Sequence, residues 1–315
     1  MKIIYLEQIK KILEKIDIIP AVEQGFIVYS NGETVLPPVG ELLFNNPPGD
    51  VHIKYGYILG EDYYVIKVAS GFYENPKLHL PSSYGLMLIF SQKTGILCGI
   101  LLDEGYLTDL RTAAAGAIVA KYFAPRRVNK IGIIGTGTQA KLQLYYLKNI
   151  VHCREVVVSG RNRSNLIEFK TEMELSGFQV KTTETIAEVA SSCNFIITTT
   201  PSTSPLLFAH QIKKGTHVTA VGADTPKKQE LDENIFKNAD VIVADSIKQC
   251  IERGDISHAI HKKIINERNL IELGQVISGV KEGRTNDSQI TIADLTGLAV
   301  QDIQIAKSVF KAINL

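Results

Sequence analysis

The sequence predicts an α/β protein in which a doubly wound parallel sheet is joined to a second, β-rich domain, and three observations carry that expectation. Beyond Pro125, short apolar runs alternate with amphipathic segments at the spacing of βαβ units, and parallel neighbours need such crossovers. From about Asp50 to Leu102, strand-like runs instead follow one another with only Gly, Asn and Pro punctuation between them. The length, 315 residues with 45% hydrophobic side chains, is enough for two cores.

Taken in order, Met1 to Ile19 sets Ile9, Ile12, Leu13 and Ile16 at helical spacing among Lys2, Lys10, Lys11, Glu14, Lys15 and Asp17. That pattern predicts a surface helix and not a secretory leader. VHIKYGYIL, YYVIKVASG and LMLIF read as strands. Thr108 to Ala124 is alanine-rich and predicts a helix capped by Thr108 or Asp109 and stopped by Pro125, bridging the domains. The parallel strands are KIGIIG near Lys130, EVVVSG near Glu155, NFIITTT near Asn194, HVTAVG near His217 and DVIVAD near Asp240. A last helix over Leu298 to Ile313 follows the run ITIADL and folds back onto the first domain. The expected division is residues 1–120, completed by 297–315, and residues 121–296.

Composition excludes several classes of function. Lys+Arg 34 against Asp+Glu 33 leaves a net charge of +1, with no global field to gather nucleic acid or a membrane surface, so neither is an expected partner. The longest apolar stretches fall short of the roughly 20 residues that a bilayer requires. Cys98, Cys153, Cys193 and Cys250 lie far apart without a C-x-x-C pair, which fits the cytoplasm better than a disulfide framework or a zinc knuckle. His258 and His261 share a helical spacing, but no further pair has zinc spacing, so they are expected as surface residues with no metal site. No G-x-S-x-G turn is present.

The sharpest local signal is IGIIGTGTQA, in which a strand runs into a G-x-G-x-x-A turn before the helix-compatible KLQLYYLKN. Gly135 permits the tight turn, Gly137 lets a pyrophosphate approach the backbone, and Ala140 allows close helix packing. With further apolar strands following, this is a Rossmann dinucleotide-binding signature, with phosphates at the helix N-terminus. The second strand, VVVSGRNRSN, ends without the acid that would grip a ribose 2′-hydroxyl. Ser159 and Gly160 fill the slot and Arg161 and Arg163 follow, and a guanidinium there suits a 2′-phosphate. NADP(H) is therefore favoured, with NAD(H) the alternative; two solvated loop arginines are the plainer reading.

Four segments, DEGYLTDLRTAAAGAIVAKYFAP, GTGTQAKLQLYYL, VGADTPKKQELD and ITIADLTGLAVQDIQIAK, run in that order from Asp103 to Lys307. Together they resemble the ornithine cyclodeaminase/mu-crystallin family. The resemblance implies an NAD(P)-binding homodimer with a Rossmann domain and a second domain, built from the N-terminal part and the returning C-terminus, for substrate binding and dimerisation. It implies Arg111 as the ligand of the substrate carboxylate, Lys67 as the lysine beside the substrate, and Asp224 as the catalytic acid/base. Ser82, Thr112, Thr138, Gln139, Thr200, Val221 and Lys228 match positions lining the cofactor, and Leu295 and Thr296 match positions at its nicotinamide end. One departure stands out. The family usually follows its Pro-Pro with Arg or Lys, a second carboxylate clamp, whereas Pro37 and Pro38 are followed by Val39. His52 and Lys54, in DVHIKYG, are the candidates to compensate.

What the resemblance implies chemically is hydride exchange at the α-carbon of a small amino or imino acid. Arg111 would hold a planar carboxylate through two parallel bonds, Lys67 would add a point charge, and Asp224 would move a proton from the carboxyl rim of the sheet. Each also has a plainer reading: Asp224 as a helix cap, Arg111 as a surface ion pair, Lys67 as a snorkelling side chain. TTTPS, VGADTPKKQELD and TGLAVQD lean toward the alanine-dehydrogenase-like branch. The alternatives are a redox-neutral ornithine cyclodeaminase yielding proline and ammonia, and, from another class, a non-catalytic NADPH-binding protein.

Overall fold

Alternation in the first third of the chain becomes a mostly antiparallel sheet. In the computed structural model, which describes residues 1–72 and 74–313, seven strands form it. They are β1 (Lys2–Tyr5), β2 (Thr34–Val35), β3 (Gly40–Asn45), β4 (Pro48–Ile58), β5 (Tyr63–Phe72), β6 (Ser83–Ser91) and β7 (Leu97–Leu102). Their order is β1-β7-β6-β5-β4-β2, with β3 also on β4. The β4–β5 register sets Lys54 directly opposite Lys67, so both side chains leave the same face.

The N-terminus differs from expectation. Instead of one surface helix to Ile19, KIIY is a strand parallel to β7, with Ile4 buried opposite Leu101. That pairing is long-range, and helical spacing of later residues could not reveal it. Helix α1 (Leu6–Leu13) begins only after it, where the Gln8 side chain accepts from the Tyr5 backbone N–H at 3.0 Å. Helix α2 (Ile19–Ser30) carries Pro20 in its first turn and buries Val22, Phe26 and Val28.

Helix α3 (Tyr106–Phe123) starts earlier than expected. Asp103 Oδ2 accepts from the Leu107 N–H at 2.9 Å, so Asp103 caps the helix and not Thr108 or Asp109. Glu104 and Gly105, with φ of 55° and 88°, make the turn into it. The chain then divides into two compact units within this helix: Met1–Arg111 with the chain from Leu298, and Thr112–Gly297. A C-terminal helix (Ala299–Ala312) returns to the first unit, where it buries nearly every side chain, including Gln301, Asp302 and Gln304. Asn314 and Leu315, the end of the expected segment, lie outside the described residues.

In the second unit the strands are β8 (Ile131–Ile134), β9 (Glu155–Ser159), β10 (Gln179–Thr183), β11 (Phe195–Thr198), β12 (Thr203–Leu207), β13 (His217–Ala220), β14 (Gln229–Leu231), β15 (Val241–Ala244), β16 (Leu270–Glu272) and β17 (Thr291–Asp294). Eight form one sheet, ordered β10-β9-β8-β11-β13-β17-β15-β16, and every neighbouring pair is parallel. The helices between them are α4 (Thr138–Leu147), α5 (Arg163–Leu175), α6 (Ile186–Ser192), α7 (Ile247–Glu252), α8 (Asp255–His261) and α9 (Leu273–Ile277). This is a mixed α/β fold with a Rossmann sheet, and strand order reverses beside β8, where such sheets open a crevice. The core of this unit includes Ile134, Ile196, Val218 and Ile292. Among the described residues no helix is long and apolar enough to cross a membrane.

Candidate active site

The glycine turn stands at that reversal. Gly135 has φ +117°, and a Cβ there would lie 2.6 Å from Thr199 Oγ1, so both conformation and space exclude a side chain. Gly137 is the N-cap of α4, and an added Cβ would meet nothing within 4 Å. The first turn of α4, beginning at Thr138, carries no acid. Ala140 is fully buried. A cavity of about 520 Å³ lies against this turn, lined also by Ser159, Gly160, Arg161 and Thr200. Open space at Gly137, backbone N–H groups at a helix start and no competing carboxylate in that turn together fit a dinucleotide pyrophosphate.

Of the two arginines after β9, Arg161 lines this cavity and Arg163 is the first residue of α5. Asn162 is committed to capping α5, accepting from Ser164 and Asn165 backbone N–H groups. Glu184 lines the same cavity, an acid that no sequence motif marked. Gln139 and Thr112 meet at Gln143, whose amide reaches the Thr112 carbonyl at 3.2 Å and Gln139 Oε1 at 3.5 Å.

The loops after β11 and β13 are tied together by a residue the sequence reading missed. Glu230 is fully buried. One oxygen accepts from the Thr200 N–H and hydroxyl at 2.5 and 2.8 Å, the other from the Thr198 hydroxyl and the Gly222 N–H, both at 2.8 Å. Burial pushes its carboxyl up, and these four donors oppose that. Two residues beyond Gly222, Asp224 stands in a loop where no helix begins among the described residues, so it is not a helix cap. Its carboxylate is partly exposed and accepts from Lys228 Nζ at 2.6 Å. Val221 donates its N–H to Thr198 and Leu295 donates its own to Ala220, which places both at the carboxyl edge of the sheet. The Thr296 hydroxyl donates to Asp245 at 2.9 Å in the interior. His258 is half-buried, not a plain surface residue, with Nε2 3.0 Å from the Lys228 carbonyl oxygen. Among the described residues no His, Cys, Asp or Glu group is arranged to hold a metal.

The first unit brings together Lys67, Arg111 and a partner without a motif, Asp302. Arg111 is buried, not a surface residue; its Nε donates to Asp302 Oδ1 at 3.0 Å and its Nη1 to Gln301 Oε1 at 2.8 Å. Lys67 is buried as well and does not snorkel to water; its Nζ lies 3.4 Å from Asp302 Oδ2. Burial alone would raise the Asp302 carboxyl, but Lys67, Arg111 and Lys54 outweigh it and hold the group below the ordinary carboxylate range. Asp103, also in this unit, is pushed up to about 6, chiefly by burial, against the Leu107 N–H and Lys67. His52, expected as a replacement clamp, is placed beside two acids. Its ring lies between Glu41 and Asp50, at 3.5 and 3.4 Å, an acidic surrounding that repels a carboxylate. Lys54, opposite Lys67 and acting on Asp302, is the cation brought to this group. Ser82 is exposed in the first unit, and its carbonyl accepts from Phe72 N–H; it is not in the unit that holds the glycine turn.

Comparison with known proteins places these features in a family. The family model described as ornithine cyclodeaminase/mu-crystallin matches residues 3–314. A protein named as a cyclodeaminase from Sinorhizobium fredii is 38% identical over 315 residues, spanning 99% of this chain and 95% of its own. An archaeal alanine dehydrogenase dimer with bound NAD superposes with a TM-score of 0.89 at 35% identity, covering 98% of this chain and 95% of that one. The Δ1-pyrroline-2-carboxylate reductase of Thermococcus litoralis, in complex with NADH and L-proline, gives 0.93 at 28% identity, covering 99% and 97%. The chain therefore belongs to the ornithine cyclodeaminase/mu-crystallin family.

Proposed function

We propose that this protein is an NAD(P)-dependent oxidoreductase acting at the α-carbon of a small amino or imino acid, as an amino-acid dehydrogenase or ketimine reductase. The observation that carries the substrate class is the buried group of Lys54, Lys67 and Arg111 around one carboxylate, Asp302. Three cationic side chains gathered in a buried place offer a carboxylate ligand charge-assisted donors. Arg111 binds and orients that carboxylate, with Lys67 beside it. Gly135, Gly137, Thr138 and Thr200 hold the dinucleotide, whose nicotinamide supplies or accepts the hydride when bound. Asp224 takes and returns a proton at the reacting nitrogen, a role its partial exposure and its place at the sheet's carboxyl rim support.

For the cofactor, Arg161 in the cavity wall supports NADP(H). A second reading, NAD(H), is supported by Glu184 in the same wall. Arg161→Glu should weaken NADPH about ten- to a hundred-fold, the size of losing a charge-assisted hydrogen bond, and leave NADH little changed. Fluorescence titration of wild type and variant measures both; tighter NADH than NADPH in the wild type decides for NAD(H). The protein is expected to work as a homodimer in the cytoplasm.

A turnover screen tests the whole reading: 1-pyrroline-2-carboxylate, pyruvate with ammonium, L-alanine and L-ornithine, each with both cofactors. Stoichiometric change in nicotinamide absorbance is the expected result. Proline formed from ornithine with no net absorbance change would make it a cyclodeaminase. Tight cofactor binding without turnover on any substrate would leave a binding protein.

A further inference from the structure

Asp302 lies on the C-terminal helix, with only 1% of its side chain exposed. Both of its oxygens are turned to cations: Oδ1 accepts from Arg111 Nε, and Oδ2 faces Lys67 Nζ. Gln301, one residue earlier, accepts from Nη1. Among the described residues no hydrogen bond is made by Nη2. A guanidinium offers a carboxylate two paired edges, Nε with Nη2 or Nη1 with Nη2. Asp302 takes Nε of the first, which closes that edge to a second carboxylate. Only the terminal edge, where Nη1 keeps a second hydrogen, remains for a ligand.

We propose that Asp302 is a positioning residue for substrate binding: it holds Arg111 and Lys67 as one rigid pair and presents the terminal Nη1–Nη2 edge to the substrate carboxylate. This rests on the carboxylate site proposed above. Asp302 does not help by its charge alone, because an anion beside the site repels an incoming carboxylate. Its contribution is orientation, together with a shared counter-charge for two buried cations. A guanidinium already fixed loses less freedom on binding than one that must be ordered by the ligand. The arrangement also limits the approach: the ligand carboxylate meets Arg111 end-on.

The test uses the full-length protein saturated with its nicotinamide cofactor and two planar probes, pyrrole-2-carboxylate and pyrrole-2-carboxamide, titrated by calorimetry. Asp302→Asn keeps the size and an acceptor for Nε but turns an NH₂ toward the Lys67 ammonium, so the two cations are no longer held as a pair. The carboxylate should bind about tenfold more weakly, with carboxamide and cofactor affinity unchanged. Combined with Arg111→Lys, the second substitution should add little, because both act through one contact. Equal or tighter carboxylate binding by Asp302→Asn, or full additivity in the double variant, overturns the proposal. Should Asp302→Asn not fold, Gln301→Ala removes only the Nη1 partner and should lower the carboxylate-over-carboxamide ratio several-fold; an unchanged ratio overturns the proposal equally. A wild type with no preference for carboxylate sinks the carboxylate site itself, and this role with it.

Discussion

Asp224 has no helix to cap, and its ion pair with Lys228 is partly exposed, where such a pair contributes little. Asp224→Asn should therefore lower turnover by about 10² to 10⁴, the usual loss of a general acid/base, at unchanged melting temperature and cofactor affinity. Normal turnover in that variant would remove Asp224 from the chemistry. Arg111→Lys keeps a charge but loses the fork, and should raise KM for the substrate with the fold intact; unchanged kinetics would exclude it from the site. Arg111 and Lys67 could be singled out in the sequence because the family resemblance marks their positions. Asp302 was not, because an acid within a helix has no local signature and its partner lies 191 residues away. The acidic surroundings of His52 were hidden for a related reason: Glu41 and Asp50 come from strand pairing and strand face, not from a motif.

At the scale of elements, what could be read from sequence was what short-range chemistry dictates. The β8–α4 turn needs glycines at set positions, and the alternation of runs reports the crossovers, so the parallel sheet was readable. β1 was not, since its strand character comes from β7. The cap of α3 was misplaced because Asp103 lies beyond a two-residue turn with positive φ. Nor did spacing mark Glu230, the strut between the loops after β11 and β13. Each of its oxygens faces a backbone N–H, so in Glu230→Gln either orientation of the amide sets an NH₂ against a donor. One buried clash of that kind costs about 1–3 kcal/mol, and the variant should melt several degrees lower with weakened cofactor binding. Calorimetric melting with and without cofactor checks this; wild-type behaviour in both would show that the loops hold without the strut.

For the molecule as a whole, stability should be squeezed from both sides of pH. His217, buried and hydrogen-bonded to Thr219 and Thr291, is held down to about 3 by burial and Arg284. Its folded value is depressed, so stability is fully present above its ordinary value of 6.5 and lost as pH falls toward about 3. Asp255 and Asp294 act oppositely. Each is fully buried with one oxygen lacking a hydrogen-bond partner, and burial, then neighbouring carboxyls, pushes both well above the ordinary range. Their contribution is present below the ordinary carboxylate value and lost as pH rises through the raised one. Melting temperature should thus fall toward both ends of a series from about pH 4 to about pH 9, and Asp294→Asn should flatten the alkaline side. A curve whose alkaline side is unchanged by that variant would contradict the account.

The path of the chain has a consequence for its birth. Thr112–Gly297 is one continuous stretch set into a first unit that is completed by the helix from Ala299. On the ribosome, the second unit is complete while Lys67 and Arg111 still wait for Asp302, which is synthesised 191 residues after Arg111. Asp302, the carboxylate that both cations share, is absent until then, so this buried group is completed only by the helix that carries it. A chain cut short before Leu298 should keep that sheet face open and be taken by chaperones or proteases.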